Sequence, residues 1–503
     1  MNIAHWLYQT ALSWPERPAL YDGARLALRY ADLASRAATL ARWLATEHGV
    51  SAGDRVAVFA HNCPEYLEIL HAVWWLGGIV VPVNFKLHPR EAAWIIGNAG
   101  ARLAFTDTGS VLADTEAAGC AEIAITGSDY AAAMAAPAGL DRPYPSCSDD
   151  VAWLFYTSGT TGRPKGVMLT HDNLLHMSLC YGVDVDQVRP DDVSLYAAPM
   201  SHGAGLYALV FIRAGAAHLV PTSRGFDPDE IIDLAAAPGN LCFFAAPTMV
   251  KRLVQRAAAR GFDGEGIRTI VYGGGPMYAA DLDAGLAAFG PRFVQIYGQG
   301  ESPMTITALS RELVADESHP RWAERRHSVG VAQACVEVRV VGPDLKTLAS
   351  GETGEIVVRG PTVMHGYWEN PEATATTVVD GWLMTGDMGR MDEDGFLTLT
   401  DRSKDVIISG GTNIYPREVE EALLRHPDVF EVAVIGAPEP EWGEEVVAFV
   451  VLHEGARSGE AELEAWCRSQ MASFKKPKVY HFVEDLPKNG YGKILKTDLR
   501  QRI

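Results

Sequence analysis

Apolar and polar positions along this chain follow two periods, and the period switches several times. Between residues 55 and 83, RVAVFA is a short apolar run. CPEYLEILHAVWWLG then spaces its apolar residues as a helix does, and GIVVPV is apolar again. Strand, helix, strand is a βαβ unit, which predicts a mainly parallel sheet covered by helices. Similar apolar runs return at 241–246, 269–272 and 293–297, each followed by a break rich in Gly or Pro. From about residue 351 the texture changes to short β-like runs, GEIVVRG, WLMTGDMG and GFLTLTDR, separated by Gly and Asp. After Arg402, EVEEALLRH and ELEAWCRSQM read as helices, while VAVIG, VVAFVVL and VYHFVEDL read as strands. The expected fold class is α/β. A large N-terminal domain, 1–401, holds parallel-rich sheets covered by helices and a β subdomain at about 325–400. A small, separate C-terminal α+β domain, 402–503, follows, with the boundary at 401–405.

Composition narrows the function. With 503 residues, 48% of them hydrophobic, the chain exceeds the roughly 250–300 residues at which single cores stop growing. A net charge of −20 argues against nucleic acid, which needs clustered Lys and Arg. A small polyanionic substrate would need local donors, metal ions and backbone amides to overcome that field. The seven cysteines (63, 120, 147, 180, 242, 335 and 467) form no CxxC pair, so neither a disulfide framework nor a zinc site is expected, and a reducing cytoplasm fits. The opening MNIAHWLYQTALSWPERP lacks the basic-then-apolar pattern of a secretory signal. The most apolar stretch, 66–83, contains Glu68, His71, Gly77, Gly78 and Pro82. It reads as a buried helix and strand, not a transmembrane segment.

The sharpest candidate chemistry is Tyr156-Thr-Ser-Gly-Thr-Thr-Gly-Arg-Pro-Lys-Gly166, directly after the strand-like VAWLF. Its glycines, Gly159 and Gly162, let the backbone turn so that N–H groups converge on an anion. Thr157, Ser158, Thr160, Thr161 and Lys165 add donors suited to phosphate oxygens. It is not a Walker A loop, because the spacing differs and Pro164 precedes the lysine. On composition alone, a solvated Ser/Thr/Gly surface loop explains it equally well.

The segment resembles the phosphate loop of the adenylate-forming superfamily: acyl-CoA synthetases, peptide-synthetase adenylation domains and firefly luciferase. The motifs that follow arrive in that family's order over nearly the whole chain. His202, in Pro199-Met-Ser-His202, would by itself be a structural histidine. The resemblance implies a place beside the substrate carboxylate, gating the acyl pocket. Gly273-Gly274-Gly275-Pro276 follows a strand and alone would be a turn. The resemblance implies a wall for adenine and the acyl group. Tyr297-Gly298-Gln299-Gly300-Glu301 is read as a loop after a strand. Glu301 resembles the residue that holds Mg²⁺ on the ATP phosphates, with Thr161 as a second metal contact. The family usually has threonine where this chain has Gly300. Either Gln299 or Ser302 supplies the missing donor, or that contact is absent.

Asp387, in Thr385-Gly-Asp387, and Arg402 resemble the residues that hold the ribose and close over the nucleotide. Lys404 falls at the family's hinge, which implies that the small C-terminal domain is mobile. Gly410 and Gly411 resemble the loop facing coenzyme A, and Phe474-Lys-Lys-Pro477 is a further signature. Lys493, in Pro487-Lys-Asn-Gly-Tyr-Gly-Lys493, resembles the adenylation lysine, although burial statistics alone would call it solvated. By family position the acyl pocket takes His202, Gly203, Ala246, Tyr272, Gly273, Gly298 and Met304, with Tyr297 and Gln299. No Lys or Arg is among them, which disfavours dicarboxylates. FFAAPTM resembles bacterial aryl-CoA ligases.

What the resemblance implies is an ATP-dependent carboxylic acid:CoA ligase. It makes an acyl-adenylate and pyrophosphate, then an acyl-CoA thioester and AMP, from an apolar monocarboxylic acid that is fatty or aromatic. ATP, Mg²⁺ and coenzyme A as co-substrate are the implied small molecules. Transfer to a carrier protein is the alternative acceptor, although only ten residues follow Lys493 and no attached carrier domain is expected. Gly300 motivates a non-enzyme alternative, a degenerate nucleotide-binding protein. A homodimer is left open.

Overall fold

The computed structural model describes residues 1–503 except 109, 110, 114, 116, 118, 137, 138, 158–162, 403, 404, 410, 411, 441 and 489–493, and except the side chains of 401 and 402. Among the described residues the strands form four sheets. The βαβ unit expected at 55–83 is present: strands Arg55–Ala60 and Ile79–Asn84 pair in parallel and the helix Pro64–Trp75 joins them. Every residue of Ile79–Asn84 is buried, which is why that strand is apolar on both faces. The helix is buried from Tyr66 to Trp75, so it carries no polar stripe. Its buried Glu68 is held by Arg36 Nε at 2.8 Å and by the Tyr130 hydroxyl at 2.7 Å.

Two large sheets frame the molecule. The first runs Gly366–Tyr367, Lys165–Thr170, Val151–Thr157, Ile79–Asn84, Arg55–Ala60, Leu103–Thr106, Ala121–Ala124 from edge to edge. Its last five strands are parallel, while Lys165–Thr170 folds back on Val151–Thr157 as a hairpin. The second sheet has a parallel centre of Ala217–Val220, Val193–Leu195, Leu241–Ala245, Ile267–Tyr272 and Phe293–Gln299. Phe293–Gln299 then turns sharply into the antiparallel strand Ser302–Leu309. The largest core joins Tyr30, Trp74, Trp153, Tyr181 and Phe211 with residues from both sheets.

The short runs after residue 330 form an antiparallel sheet of Glu337–Val341, Thr353–Arg359, Trp382–Met391 and Leu397–Arg402. The fourth sheet contains Ile407–Ser409, Thr412–Ile414, Val429–Glu439, Gly443–Leu452 and Val479–Phe482. Helices Pro416–Leu424 and Glu460–Gln470 close a separate core around Val419, Leu423, Val432 and Leu463. This small unit touches the large one through polar groups: Lys251 Nζ donates to Phe430 O at 2.7 Å, and Tyr278 Oη to Glu420 Oε2 at 3.1 Å. Its own last helix, Lys496–Arg500, returns to its beginning, where Arg500 pairs with Asp405 at 2.7 Å.

Candidate active site

The phosphate-loop candidate is the tip of the hairpin between Val151–Thr157 and Lys165–Thr170. Thr157 and Lys165 are partners in the ladder, so they form its neck. Ser158, Gly159, Thr160, Thr161 and Gly162 lie outside the described residues, as do Lys404, Gly410, Gly411, Lys493 and the side chain of Arg402. Lys165 Nζ sits 4.9 Å from the centre of the Tyr367 ring. The Tyr367 hydroxyl donates to Glu301 Oε1 at 2.6 Å, and burial together with that carboxylate raises the phenol's pKa. The short strand Gly366–Tyr367 on the hairpin's edge therefore links the cation to the candidate metal carboxylate.

Residues 297–301 are not the loop expected from the sequence. Tyr297, Gly298 and Gln299 belong to the strand Phe293–Gln299, and only 300 and 301 turn before Ser302–Leu309. The cause is a tight hairpin in which Gln299 pairs with Ser302, and a Cβ on Gly298 would lie 2.6 Å from Met304 N. The hairpin points polar groups at Asp387, which is buried. Tyr297 Oη donates to Asp387 Oδ2 at 2.7 Å, and Gln299 Nε2 donates to the same oxygen at 2.6 Å and to Thr385 O at 2.8 Å.

Those bonds bear on the donor missing at Gly300. Neither suggested substitute for the absent threonine is an uncommitted donor. Gln299 is spent on Asp387 and Thr385, and Ser302 Oγ donates to Thr305 O at 2.9 Å beside the Thr362 hydroxyl at 3.1 Å. Gly300 has its own reason. A Cβ there would run into the Thr157 methyl and lie 3.1 Å from Phe155 Cδ1. Gly300→Thr is expected to push Thr157 aside at the neck of the hairpin and to slow adenylation by about tenfold or more, since displacing a positioning group by about 1 Å can cost up to about 10²-fold. Adding Thr157→Ser removes the obstructing methyl. Recovery of ATP–pyrophosphate exchange in the double variant is the check, and an unchanged rate in Gly300→Thr alone would show that the site has slack.

His202 is joined to this point by Phe155: their rings meet edge to face at 4.9 Å. Ser201 Oγ lies 2.9 Å from His202 Nδ1. Burial pushes the imidazole down to about 3, so it is neutral at physiological pH. Behind it, a Cβ on Gly203 would meet Met304 Cε at 2.8 Å and Phe244 Cε1 at 4.0 Å. Met304 takes a positive φ of 63° to stand there. Gly273 faces the neighbouring strand so closely that a Cβ would touch Ile296 O at 2.6 Å, and Gly274 has φ of 77°. Gly274 and Pro276 are exposed and Gly273 is buried.

Tyr272, expected at the acyl pocket, packs on Phe293 within the core on one side of the sheet. Its neighbour Val271 faces the other way, towards a small void lined also by Tyr181, Ser194, Tyr207, Cys242 and Phe244, since successive strand residues face opposite ways. Ala246 caps the helix Pro247–Arg260 and does not line this cavity. Tyr367 was also missed: it stands 66 positions from Glu301, and nothing local in MHGYWEN announces that contact.

Residues 7–368 match the AMP-binding enzyme family, and residues 418–493 match the AMP-binding enzyme C-terminal domain. The chain belongs to the AMP-binding enzyme family. A feruloyl-CoA synthase from Amycolatopsis sp is 39% identical over 512 residues, covering 100% of this chain and 99% of the relative. A 2-succinylbenzoate–CoA ligase from Geobacillus kaustophilus is 37% identical over 508 residues, covering 100% and 98%. ATP-bound MatB from Rhodopseudomonas palustris superposes with a TM-score of 0.90 at 33% identity, covering 100% of this chain and 98% of that one.

Mg²⁺ is the metal usual to AMP-binding enzymes, and the donor set suits it. Among the described residues no group of three or more His, Cys, Asp or Glu could hold an ion. Glu301 is a single carboxylate oriented by a phenol. Mg²⁺ characteristically takes one or two carboxylates and fills its remaining positions with substrate phosphate oxygens and water.

Proposed function

We propose that this AMP-binding enzyme activates an apolar monocarboxylic acid with ATP and transfers the acyl group to coenzyme A, with an aromatic acid the first class to test. It is an AMP-forming acid–thiol ligase. The acid's carboxylate oxygen attacks the α-phosphorus of ATP, and the bond to pyrophosphate breaks. The thiol of coenzyme A then attacks the acyl carbonyl, and the C–O bond to AMP breaks.

The observation that supports this reading best is the continuous path of contacts from Lys165 through Tyr367 to Glu301, and across Gly300 to Gln299, Tyr297 and Asp387. The barrier to the first step is anionic oxygen approaching anionic phosphate, so charge neutralisation and positioning are the chemistry required. Lys165 and the hairpin tip meet the phosphates, and Glu301 would hold Mg²⁺, which supplies charge neutralisation there. Asp387 accepts from the ribose hydroxyls, with Arg402 closing over the nucleotide. Neutral His202 stands at the junction with the acyl pocket, where an imidazolium would pair with the acid and hold it in its ground state. Lys493 is assigned to the reacting carboxylate and α-phosphate, Lys404 to the hinge, and Gly410 and Gly411 to the thiol's approach.

No helix among the described residues is long and apolar enough to cross a membrane, which fits a cytoplasmic enzyme acting on small molecules. The feruloyl-CoA synthase relative supports testing aromatic acids first.

The test is acid-dependent ATP–pyrophosphate exchange with benzoic, cinnamic, short alkyl and long alkyl acids. Thioester formation is then measured with coenzyme A and with a pantetheinylated carrier protein. Exchange with at least one monocarboxylic acid and thioester on coenzyme A are expected. Nucleotide binding without exchange for any acid would leave a degenerate binder. Thioester only on the carrier protein would replace the acceptor.

A further inference from the structure

The small unit meets the large one through a contact that completes a helix. Helix Ala279–Phe289 starts just past the Gly273–Pro276 wall, and its N-cap residue, Tyr278, supplies no side-chain cap. The first N–H groups of a helix need acceptors from elsewhere. One comes from the small unit: Glu421, on helix Pro416–Leu424, accepts from the Ala279 N–H. Its neighbour Glu420 accepts from Tyr278 Oη at 3.1 Å. Two consecutive carboxylates therefore sit on the positive end of a helix that belongs to the other unit, where negative charge is favoured. Burial at the contact raises the Glu421 pKa, and the Arg417 guanidinium beside it opposes that shift.

Glu420 is already fixed on its own side. It is 3% exposed, and its Oε1 accepts from Val434 N and pairs with Lys496 Nζ, each at 2.9 Å. Its Oε2 is the oxygen that takes Tyr278. These bonds approach Lys493 from both directions. Lys496 follows it by three residues. Lys488 precedes it by five, bridges to Ile494, and pairs with Glu431 at 2.8 Å. The residue before Glu431 is Phe430, whose carbonyl accepts from Lys251 of the large unit at 2.7 Å. Lys251 also pairs at 3.4 Å with Asp281, in the first turn of the same helix that Glu421 caps. Both sides of 489–493 are thus anchored where the large unit presents Tyr278 and Lys251, beside its nucleotide wall.

We propose that Tyr278 is a positioning residue for the first half of the reaction: with Glu420 and Glu421 it latches the small unit in the orientation that makes the acyl-adenylate, and it lets go when that unit turns to admit the thiol. This rests on the reading of the enzyme as a two-step acid–thiol ligase. Tyr278 stays protonated and donating, because burial and then Glu420 raise its pKa. The latch is light enough to open: one hydrogen bond to a carboxylate and one helix cap, whose groups water can satisfy after the turn. A bond made in one orientation and not in the other biases the equilibrium between them, so removing it moves the population towards the second.

The experiment measures the two half-reactions apart, in the wild type, Tyr278→Phe, Glu421→Ala and Glu421→Gln. ATP–pyrophosphate exchange with benzoic, cinnamic and octanoic acids reads the first half. Thioester formation from coenzyme A and the synthetic adenylate of the fastest of these acids reads the second. Tyr278→Phe is expected to slow exchange by about tenfold or more, in kcat more than in KM for ATP, from the loss of a hydrogen bond to a charged acceptor. Thioester formation from added adenylate should hold or rise. Glu421→Ala should act in the same direction, and Glu421→Gln, which keeps an oxygen for the Ala279 N–H, should restore most of the exchange. An equal loss on both half-reactions, or an unchanged exchange rate in Tyr278→Phe and Glu421→Ala, overturns the latch. Loss confined to the thioester step overturns it too, because the contact would then belong to the other orientation. Each of these leaves the ligase reading intact, whereas exchange with no acid in the wild type removes both.

Discussion

Asp387→Ala will lower acid-dependent ATP–pyrophosphate exchange by about two to four orders of magnitude. The estimate comes from hydrogen bonds to a charged acceptor, worth about 1.5–3 kcal/mol each, of which the two ribose hydroxyls would lose both. Each 1.36 kcal/mol is a factor of ten in rate. The cost has a second source. Asp387 Oδ2 accepts from Tyr297 Oη and Gln299 Nε2, and Asp387 and Tyr297 are both buried. Truncation leaves those two donors without their acceptor. Asp387→Asn keeps a carbonyl oxygen for the two internal donors and turns an amide towards the ribose. It should lose about tenfold, mainly in KM for ATP. Steady-state exchange with ATP varied separates the two variants. Equal activity of Asp387→Ala and wild type would remove the nucleotide role from this residue.

The second large effect is on stability against pH. His71 and His218 are fully buried and His171 nearly so. Burial pushes His71 down to about 3, His218 to about 3 with help from His71, and His171 to about 4. The groups facing them explain why no charge is tolerated. His71 packs on Trp74 and has both ring nitrogens unpartnered. The Tyr196 hydroxyl lies 2.7 Å from His218 Nδ1, and Ile3 N donates to His171 Nδ1 at 3.2 Å. The unfolded chain protonates these rings near the ordinary value of about 6.5. Below that pH the unfolded state binds protons that the folded state does not, so stability falls as pH falls from about 6.5 towards 3–4. These three groups alone lose about 5 kcal/mol between pH 7 and pH 5, and His202, held at about 3 by burial, adds to the loss. Asp184, Asp192 and Glu421 work the other way, because burial raises their pKa values and the folded state takes up their protons first. Urea unfolding at pH 7, 6 and 5 should show a steep drop in midpoint, and His71→Leu should flatten it by about a third. A midpoint constant over that range would mean that these rings titrate normally.

Much of the fold was legible because periodicity reports burial directly. Ile79–Asn84 is apolar throughout because both its faces are covered, and the helix before it has no polar stripe for the same reason. Side-chain direction at single positions was harder to read. Tyr272 and Val271 are neighbours on one strand and face opposite sides of the sheet, so a shift of one residue reverses the face. The glycines at 298 and 300 read as a loop, which glycine usually signals. Here Gly298 permits close approach of Met304 inside a hairpin. Long-range pairs were invisible. Tyr367 and Glu301, or Tyr207 and the cavity it lines, are joined by the packing of distant segments and not by local pattern.

The ion pair between Arg500 and Asp405 has a practical corollary. It clasps the last helix of the small unit to its first residues, so a graft of 405–500 carries its own closure. Elements whose ends meet tolerate transplantation and rearranged connectivity better than those whose ends lie apart. Exchanging this piece between AMP-binding enzymes would therefore move a finished part, and the engineering question narrows to one splice site and to the surface presented by Tyr278 and Lys251.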